Sequence, residues 1–519
     1  MTNALGIVAA GHQDTAEAAS TILAEGGNAF DACLAALLAS CVAEPVLSSL
    51  GGGGFLLAQS DSNAPMLYDF FAQTPSTKPV IHEQEFYPII ADFGTAQQEF
   101  HIGMGSIAVP GVVRGIFTIH SELCTLPLKT IAEPALKLAQ EGIRINAFQH
   151  YIATIVSPII KSNPEAIGIH ECSIFPGEIA PEGEIVCHKE FATTLAAIVH
   201  EGEKLFYRGE LAQQLANDCK TNGGTISLDD LAKYSVVKRP PLSVNYHGTE
   251  LLTNPAPSIG GILIAFTLLL LEKNKIGNCR HNSPEHLTNL AQAMQITQQL
   301  RNEHNIDSHF DSAISDKILS NRFIESYRNS LNIHPSFSRG TTQISIADNK
   351  GNIASMTLSN GEGSGYVLPG TGIMLNNMLG EEDLNPFGFH KWPTDRRIAS
   401  MMAPTLGIMP NGDKIATGSG GSNRIRNAIL QVLVNLVDFD KTVGEAVEAT
   451  RIHLEDGLLN IEAGIPDETL TSLVAAFPKH HIWPDKNLFF GGAHTVAISN
   501  KGELRGKGDS RRGGVCIKA

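Results

Sequence analysis

The sequence predicts an α+β fold in which sheet layers lie between helices. Three observations predict it. Apolar and polar residues alternate at 343–347 and again at 353–358, with a turn at 348–352 between them. The same hairpin pattern recurs at 405–409 and 414–417 around Pro410-Asn411-Gly412-Asp413. A helical stripe then follows, with Ile425, Ala428, Ile429, Val432, Leu433, Leu436 and Val437 at i, i+3, i+4, i+7 spacing. Paired strands and amphipathic helices each have a face to cover, and sheets sandwiched between helices satisfy both.

The remaining elements follow in chain order. Residues 12–43 read as two helices. Asp14 is the expected N-cap of the first, with Glu17 three residues on, and Gly26-Gly27 stops it. The second runs from Asn28 through Ala32, Ala35, Ala36 and Ala39 to Pro45. Gly51 to Gly54 is expected to be a loop into the apolar Phe55-Leu56-Leu57. The stretch from about 110 to 335 reads as mostly helical, with segments at 128–141 (or only from Pro134), 192–199, 210–221 and 284–299. Within it, 242–246 and Leu251-Leu252 form a short hairpin around His247-Gly248. Residues 494–499 and those from Glu503 onward supply more strand.

Composition bounds the function classes. The 519 residues are 43% hydrophobic and 18% charged, ordinary for a folded chain. There are 38 Lys and Arg against 53 Asp and Glu, a net charge of −15, without a basic cluster. A phosphate backbone is repelled by such a surface, so no nucleic-acid partner is expected. The longest apolar run, 262–271, is half of the roughly 20 residues that a spanning helix needs, so no membrane partner is expected. Met1-Thr2-Asn3-Ala4 has no basic region before an apolar core, and the expected location is the cytoplasm. Eight scattered cysteines without a CxxC pair argue against a disulfide framework or a zinc site, and neither metal nor cofactor is expected.

The chemistry-bearing position is Gly340-Thr341-Thr342, where the helical region gives way to the first clear strand. A threonine hydroxyl needs a base beside it, and a free α-amine on the same residue supplies one. Such an amine titrates at about 7.7–8.0, where a general base works best near neutral pH. Freeing it requires the Gly340–Thr341 bond to break, which Thr341 can do by attacking the preceding carbonyl to give an ester that water hydrolyses. Gly418-Ser419-Gly420-Gly421-Ser422-Asn423 reads as a glycine-rich loop entering a helix near Arg424, an anion site suited to a tetrahedral oxyanion. A plain loop with Ser422 or Asn423 as N-cap is the bland alternative. Gly361-Glu362-Gly363-Ser364-Gly365 is followed by Tyr366-Val367-Leu368-Pro369 rather than a helix, which rules out a dinucleotide fingerprint. Glu381-Glu382-Asp383 is either a solvated acidic turn or a receptor for a substrate ammonium. His390, His453 and His494 stand alone, and no Ser/His/Asp order emerges.

With these residues the sequence resembles the gamma-glutamyltransferase (gamma-glutamyl transpeptidase) family of N-terminal nucleophile hydrolases. The similarity runs through Gly26 to Ala32, Ser49 to Phe55, Val109-Pro110-Gly111, Phe206 to Gly209, Asp229 to Tyr234 and Asn254 to Ser258. It continues through Thr341-Thr342, Gly372 to Asn377, Ser400-Met401 and Gly418 to Ser422. The resemblance implies an αββα four-layer sandwich and a precursor that cuts itself between Gly340 and Thr341. The large piece, 1–340, and the small piece, 341–519, would stay associated as one intertwined catalytic unit. Thr341 would attack a γ-glutamyl amide such as glutathione, and water, an amino acid or a peptide would resolve the acyl-enzyme. The resemblance places a supporting hydroxyl on Ser359, with Thr357 the alternative, and oxyanion donors at Gly420 and Gly421. It places Asn360, Ser422, the acidic Glu382 or Asp383, and Ser400 of the Ala399-Ser400 pair at the substrate.

Three departures from the family pattern bear on substrate. Gln343 stands where His is usual two places after the nucleophile, and Ala399 replaces one of two serines. Phe71 stands where an arginine would grip the substrate α-carboxylate, a charge-assisted bond worth roughly 1.5–3 kcal/mol. Arg397, Arg511 and Arg512 are the candidates to replace it. Alternative readings are therefore an acyl-amide hydrolase of the cephalosporin-acylase kind with a changed substrate, or a non-catalytic relative.

Overall fold

The computed structural model describes residues 4–61, 63–78, 84–92, 97–274, 276–308, 313–327 and 340–519. Residues 1–3, which carry part of the N-terminal reading, and the end of the expected helical stretch at 328–335 lie outside the described residues.

Two antiparallel sheets lie face to face. Their strands are β1 (Gly6–Ala10), β2 (Gly53–Gln59), β3 (Met66–Asp69), β4 (Val237–Arg239), β5 (Leu242–Tyr246), β6 (Thr249–Thr253) and β7 (Thr342–Asp348). After these come β8 (Ile353–Ser359), β9 (Thr405–Ile408), β10 (Lys414–Gly420), β11 (Gly492–Ile498), β12 (Leu504–Lys507) and β13 (Val515–Lys518). The first sheet has seven strands in the order β13-β1-β7-β8-β2-β3-β4, and the second has six in the order β12-β11-β10-β9-β6-β5. Strands β7 and β8 pack across the interface on β10, and β7 also on β11.

Helices cover both outer faces. On the first sheet lie α1 (Gln13–Ala24), α2 (Ala29–Ala43) and α3 (Val112–Leu123), with α4 (Leu128–Glu141) packed on α1 and α2. Every residue of α2 is buried, and its run of alanines lets it lie against β7 and β8. On the second sheet lie α5 (Gly260–Asn274) and α7 (Arg424–Val437), with α6 (Pro284–Glu303) packed on α5. The chain is thus the expected αββα sandwich.

Local chemistry explains most boundaries. Asn28 caps α2 through a capping box with Asp31. The first helix differs from expectation: its N-cap is His12, whose Nδ1 accepts the Asp14 N–H, and Asp14 sits in the first turn. Helix α4 begins at Leu128 and carries Pro134 inside it. Two glycine-rich stretches expected to be loops are partly strand. Strand β2 starts at Gly53 opposite Ser359, and Gly418 to Gly420 continue β10 opposite His494, Ala493 and Gly492. In each case pairing with a distant strand overrides the local preference of glycine.

A buried ionic cluster closes the C-terminal end of the second sheet. Asp509, with no exposed side-chain surface, lies 2.7 Å from Arg451 Nη2 and 3.1 Å from Arg511 Nη1. It also accepts the N–H groups of Ala493 and Arg511. Burial pushes its carboxyl up, but Arg451, Arg511 and the Ala493 N–H outweigh this and hold it below its ordinary value. Its stabilising contribution is therefore complete above the unfolded-state pKa of about 3.9 and is lost as pH falls below it. Asp509→Asn leaves two buried guanidinium groups short of a counter-charge and should cost about 3–5 kcal/mol in urea unfolding at pH 7. The gap between mutant and wild type should narrow on acidification below about pH 4.

Candidate active site

Thr341 sits immediately before β7 and is 4% exposed. Its carbonyl oxygen faces Gly420 at the end of β10, where a Cβ would stand only 2.2 Å from it. A glycine is required there because any side chain would push the sheets apart. Arg512, itself 3% exposed, donates from Nη1 to the same carbonyl at 3.2 Å. Burial and the neighbouring Arg424 lower its pKa to about 10, with Glu362, Asp509 and Glu44 acting the other way. Next door, Thr342 donates to Glu44 Oε2 at 2.7 Å, and Thr15 holds the other carboxylate oxygen at 2.8 Å.

The bond before Thr341 is intact, and its carbonyl is doubly engaged. Both Thr341 Oγ1 and Ser359 Oγ donate to Gly340 O, each at 2.5 Å. Ser359 Oγ in turn accepts the Gly361 N–H at 3.0 Å. The nucleophile candidate is thus beside the preceding carbonyl, and a second hydroxyl is placed to stabilise negative charge on that oxygen. Thr357 lies elsewhere. Its hydroxyl donates to Gln343 Oε1 at 2.6 Å, and Gln343 Nε2 donates to Ser345 and Ser355, a network between β7 and β8.

Thr341, Gly340 and Ser359 line one cavity together with Asp383, Ser400 and Ser422. It encloses only about 30 Å³. Ser422 Oγ donates to Asp383 Oδ2 at 2.7 Å. Burial and Glu455 raise the Asp383 pKa, while Ser422, Arg301 and Arg424 pull it back. Gly421 and Ser422 form the turn into α7, both with positive φ (122° and 48°). Their N–H groups make no hydrogen bond to a described residue, so they remain as donors at the start of a helix. Asn423 is the N-cap, without a side-chain cap bond.

Other expected residues fall outside the cavity lining. Glu382 is exposed on a short 3₁₀ turn, while its neighbour Glu381 is buried and faces inward. Asn360 is fully buried behind Ser359, beside Gly52, and neither polar atom of its side-chain amide has a hydrogen-bond partner among the described residues. Gly420 and Gly421 lie behind Thr341 against Arg512. Of the three arginines considered as carboxylate receptors, Arg511 is consumed by Glu462 and Asp509. Arg397 lies behind Phe71, donating to the carbonyls of Phe71 and Ser235 and pairing with Asp69 at 3.2 Å. Phe71 itself lines the cavity, as does Ala399.

Sequence reasoning missed Asp307 and Glu362, and it named Arg512 only as a candidate carboxylate receptor, not as the donor to the Thr341 carbonyl. Asp307 reaches the cavity from a 3₁₀ turn after α6, held by Arg301 Nε at 3.0 Å to each oxygen. Glu362, 5% exposed, brings its carboxyl carbon to 3.1 Å from the position a Gly340 Cβ would take. None has a local signal, although the glycines around Glu362 mark a tightly packed turn.

Ser359→Ala removes one of the two hydroxyls on the Gly340 carbonyl. It should slow any cleavage at this bond about 10²- to 10³-fold, followed by the disappearance of the full-length band on denaturing gels. Cleavage at the wild-type rate would show that the Ser359 contact is incidental.

The family profile described as Gamma-glutamyltranspeptidase matches residues 15–519. The chain is 29% identical to the glutathione hydrolase proenzyme of Escherichia coli (strain K12), over 98% of this chain and 90% of that protein. It is 28% identical to the acylase ACY 1 proenzyme of Pseudomonas sp. (strain V22), over 99% of this chain and 94% of that one. Among solved structures, cephalosporin acylase from Bacillus halodurans superposes with a TM-score of 0.84 at 23% identity, covering 99% of this chain and 96% of the other. The chain belongs to the gamma-glutamyltranspeptidase family.

Proposed function

We propose that this protein is a self-processing amide hydrolase and acyltransferase whose nucleophile is Thr341. The observation that carries the reading is the pair of hydroxyls, Thr341 Oγ1 and Ser359 Oγ, on the Gly340 carbonyl oxygen. In the first reaction Thr341 Oγ forms a bond to the Gly340 carbonyl carbon and the C–N bond breaks. The hydroxyl proton passes to the departing nitrogen, and water then hydrolyses the resulting ester. This frees the Thr341 α-amine and the Gly340 carboxylate. The amine now serves as base for the same hydroxyl. Thr341 Oγ attacks the substrate amide carbon and gives its proton to the α-amine, and the Ser422 N–H on the cavity wall receives the oxyanion. The amide C–N bond then breaks, the α-amine returns the proton to the leaving amine, and the acyl-enzyme remains.

The two pieces, 1–340 and 341–519, would remain together because the first sheet interleaves them. Strands β7 and β8 of the small piece lie between β1 and β2 of the large one. Separating them would break two ladders and expose both inner sheet faces. The acyl group is of the γ-glutamyl kind, with glutathione-like amides as donors and water, an amino acid or a peptide as acceptor. A second reading, an acyl-amide hydrolase like the Pseudomonas acylase, is favoured by Phe71 and Ala399 in the cavity wall.

The purified protein should resolve into two bands near two-thirds and one-third of the chain, with Thr341 as the N-terminal residue of the smaller. Thr341→Ala should stay full-length and form no acyl adduct detectable by mass spectrometry. A persistent single band from the wild-type protein would overturn the proposal.

A further inference from the structure

The charged groups on the cavity wall are of one sign. Among the described lining residues, the ionisable side chains are Asp307, Glu381 and Asp383. The rest of the wall is largely apolar, with Phe71, Ile259, Leu384, Met401 and Ile425 among its members. Arginines do lie nearby, but none is among the described lining residues. Arg301 is bound to Asp307 and to Asn423 Oδ1, and Arg397 to Asp69 and two carbonyls behind Phe71. Arg512 donates to the Thr341 carbonyl, and Arg424 lies fully buried over the Phe489 ring.

A carboxylate entering this cavity would lose its hydration among carboxylates and hydrocarbon, with no cation on the described wall to replace it. An ammonium meets the opposite situation. Asp383 is held by one Ser422 hydrogen bond, and burial and Glu455 raise its pKa more than Ser422, Arg301 and Arg424 lower it, so a cation beside its carboxylate on the cavity wall is favoured.

We infer that the acyl group accepted by Thr341 carries an ammonium and no carboxylate, as in 4-aminobutanoyl amides, the γ-glutamyl skeleton without its α-carboxyl group. The inference rests on the proposed Thr341 amidase and replaces the γ-glutamyl acyl group of that reading with the same skeleton lacking the α-carboxylate. Asp383 holds the ammonium, and the apolar wall at Phe71 and Ala399 takes the side from which the carboxylate is missing.

The test uses self-cleaved protein whose N-terminal Thr341 has been verified, with the 4-nitroanilides of 4-aminobutanoic, γ-glutamic, glutaric and butanoic acids. The 4-aminobutanoyl anilide should have a kcat/KM at least about tenfold above each of the others, the separation expected from one lost charge-assisted contact. Phe71→Arg should raise γ-glutamyl turnover relative to 4-aminobutanoyl, because it places a cation on the wall. A wild-type preference for γ-glutamyl or glutaryl anilide overturns the inference and leaves the Thr341 amidase standing. Equal rates for butanoyl and 4-aminobutanoyl anilides also overturn it, by removing the role of the ammonium. Failure with all four, in protein that also forms no acyl adduct, overturns the amidase itself and the inference with it.

Discussion

The contact between the Thr341 carbonyl and the bare backbone of Gly420 governs the rest of the site. Strand β7 is flanked by β1 and β8 in its own sheet and faces β10 in the other, so its leading residue is confined on three sides. Close packing leaves no room for a Cβ on Gly420, and the narrow gap lets Arg512 reach the Thr341 carbonyl. With that carbonyl fixed, the preceding peptide has one place to go, and its oxygen falls between the Thr341 and Ser359 hydroxyls. Reactivity here is a consequence of sheet packing. No local sequence feature forces a threonine hydroxyl onto the carbonyl before it.

The buried charges around this point act as a frame. Asp509 ties Arg451 and Arg511 together, and the short 3₁₀ turn that it caps carries Arg512 toward Thr341. Glu44 approaches from the helical side through Thr342 and shares the field of Arg512. These groups are almost wholly screened from solvent, so their mutual attractions are not diluted as surface pairs are. Such a frame would hold the nucleophile in register both before and after the chain is cut. Gly340 lies on the wall of the small cavity, beside the Thr341 hydroxyl.

Much of the fold was legible because its signals are local. Hairpins announced by alternation at 343–358 and 405–417, the start of the second helix at Asn28 and the stripe of α7 all occur where expected. Features set by distant partners were not legible. Gly418 to Gly420 read as loop because glycine has no side-chain alternation, yet β11 pairs with them and makes them strand. His12 displaced Asp14 as helix cap because a ring nitrogen can accept the same N–H. In the site, Thr341 could be named from its place at the start of a strand, whereas Ser359 and the Glu382 or Asp383 carboxylate were named only through the family resemblance. The inward turn of Glu381 in place of Glu382 depends on a 3₁₀ turn that alternation could not reveal.

Arg397 shows how magnitudes decide what an arginine near a site is for. It is close in sequence to Ala399 and Ser400, and by composition alone it is a natural candidate to receive a substrate carboxylate. Its guanidinium instead pairs with Asp69, which has no exposed side-chain surface, and stacks 4.7 Å from the Tyr234 ring centroid. Swinging it into the cavity would strip a buried carboxylate of a partner, a loss of about 3–5 kcal/mol when such a pair is broken. Arg239 also reaches Asp69, at 3.0 Å, but it is partly exposed and occupies the other oxygen. A charge-assisted bond to an incoming ligand returns only about 1.5–3 kcal/mol. The structural pairing wins, Phe71 keeps its place on the wall, and the cation stays behind it.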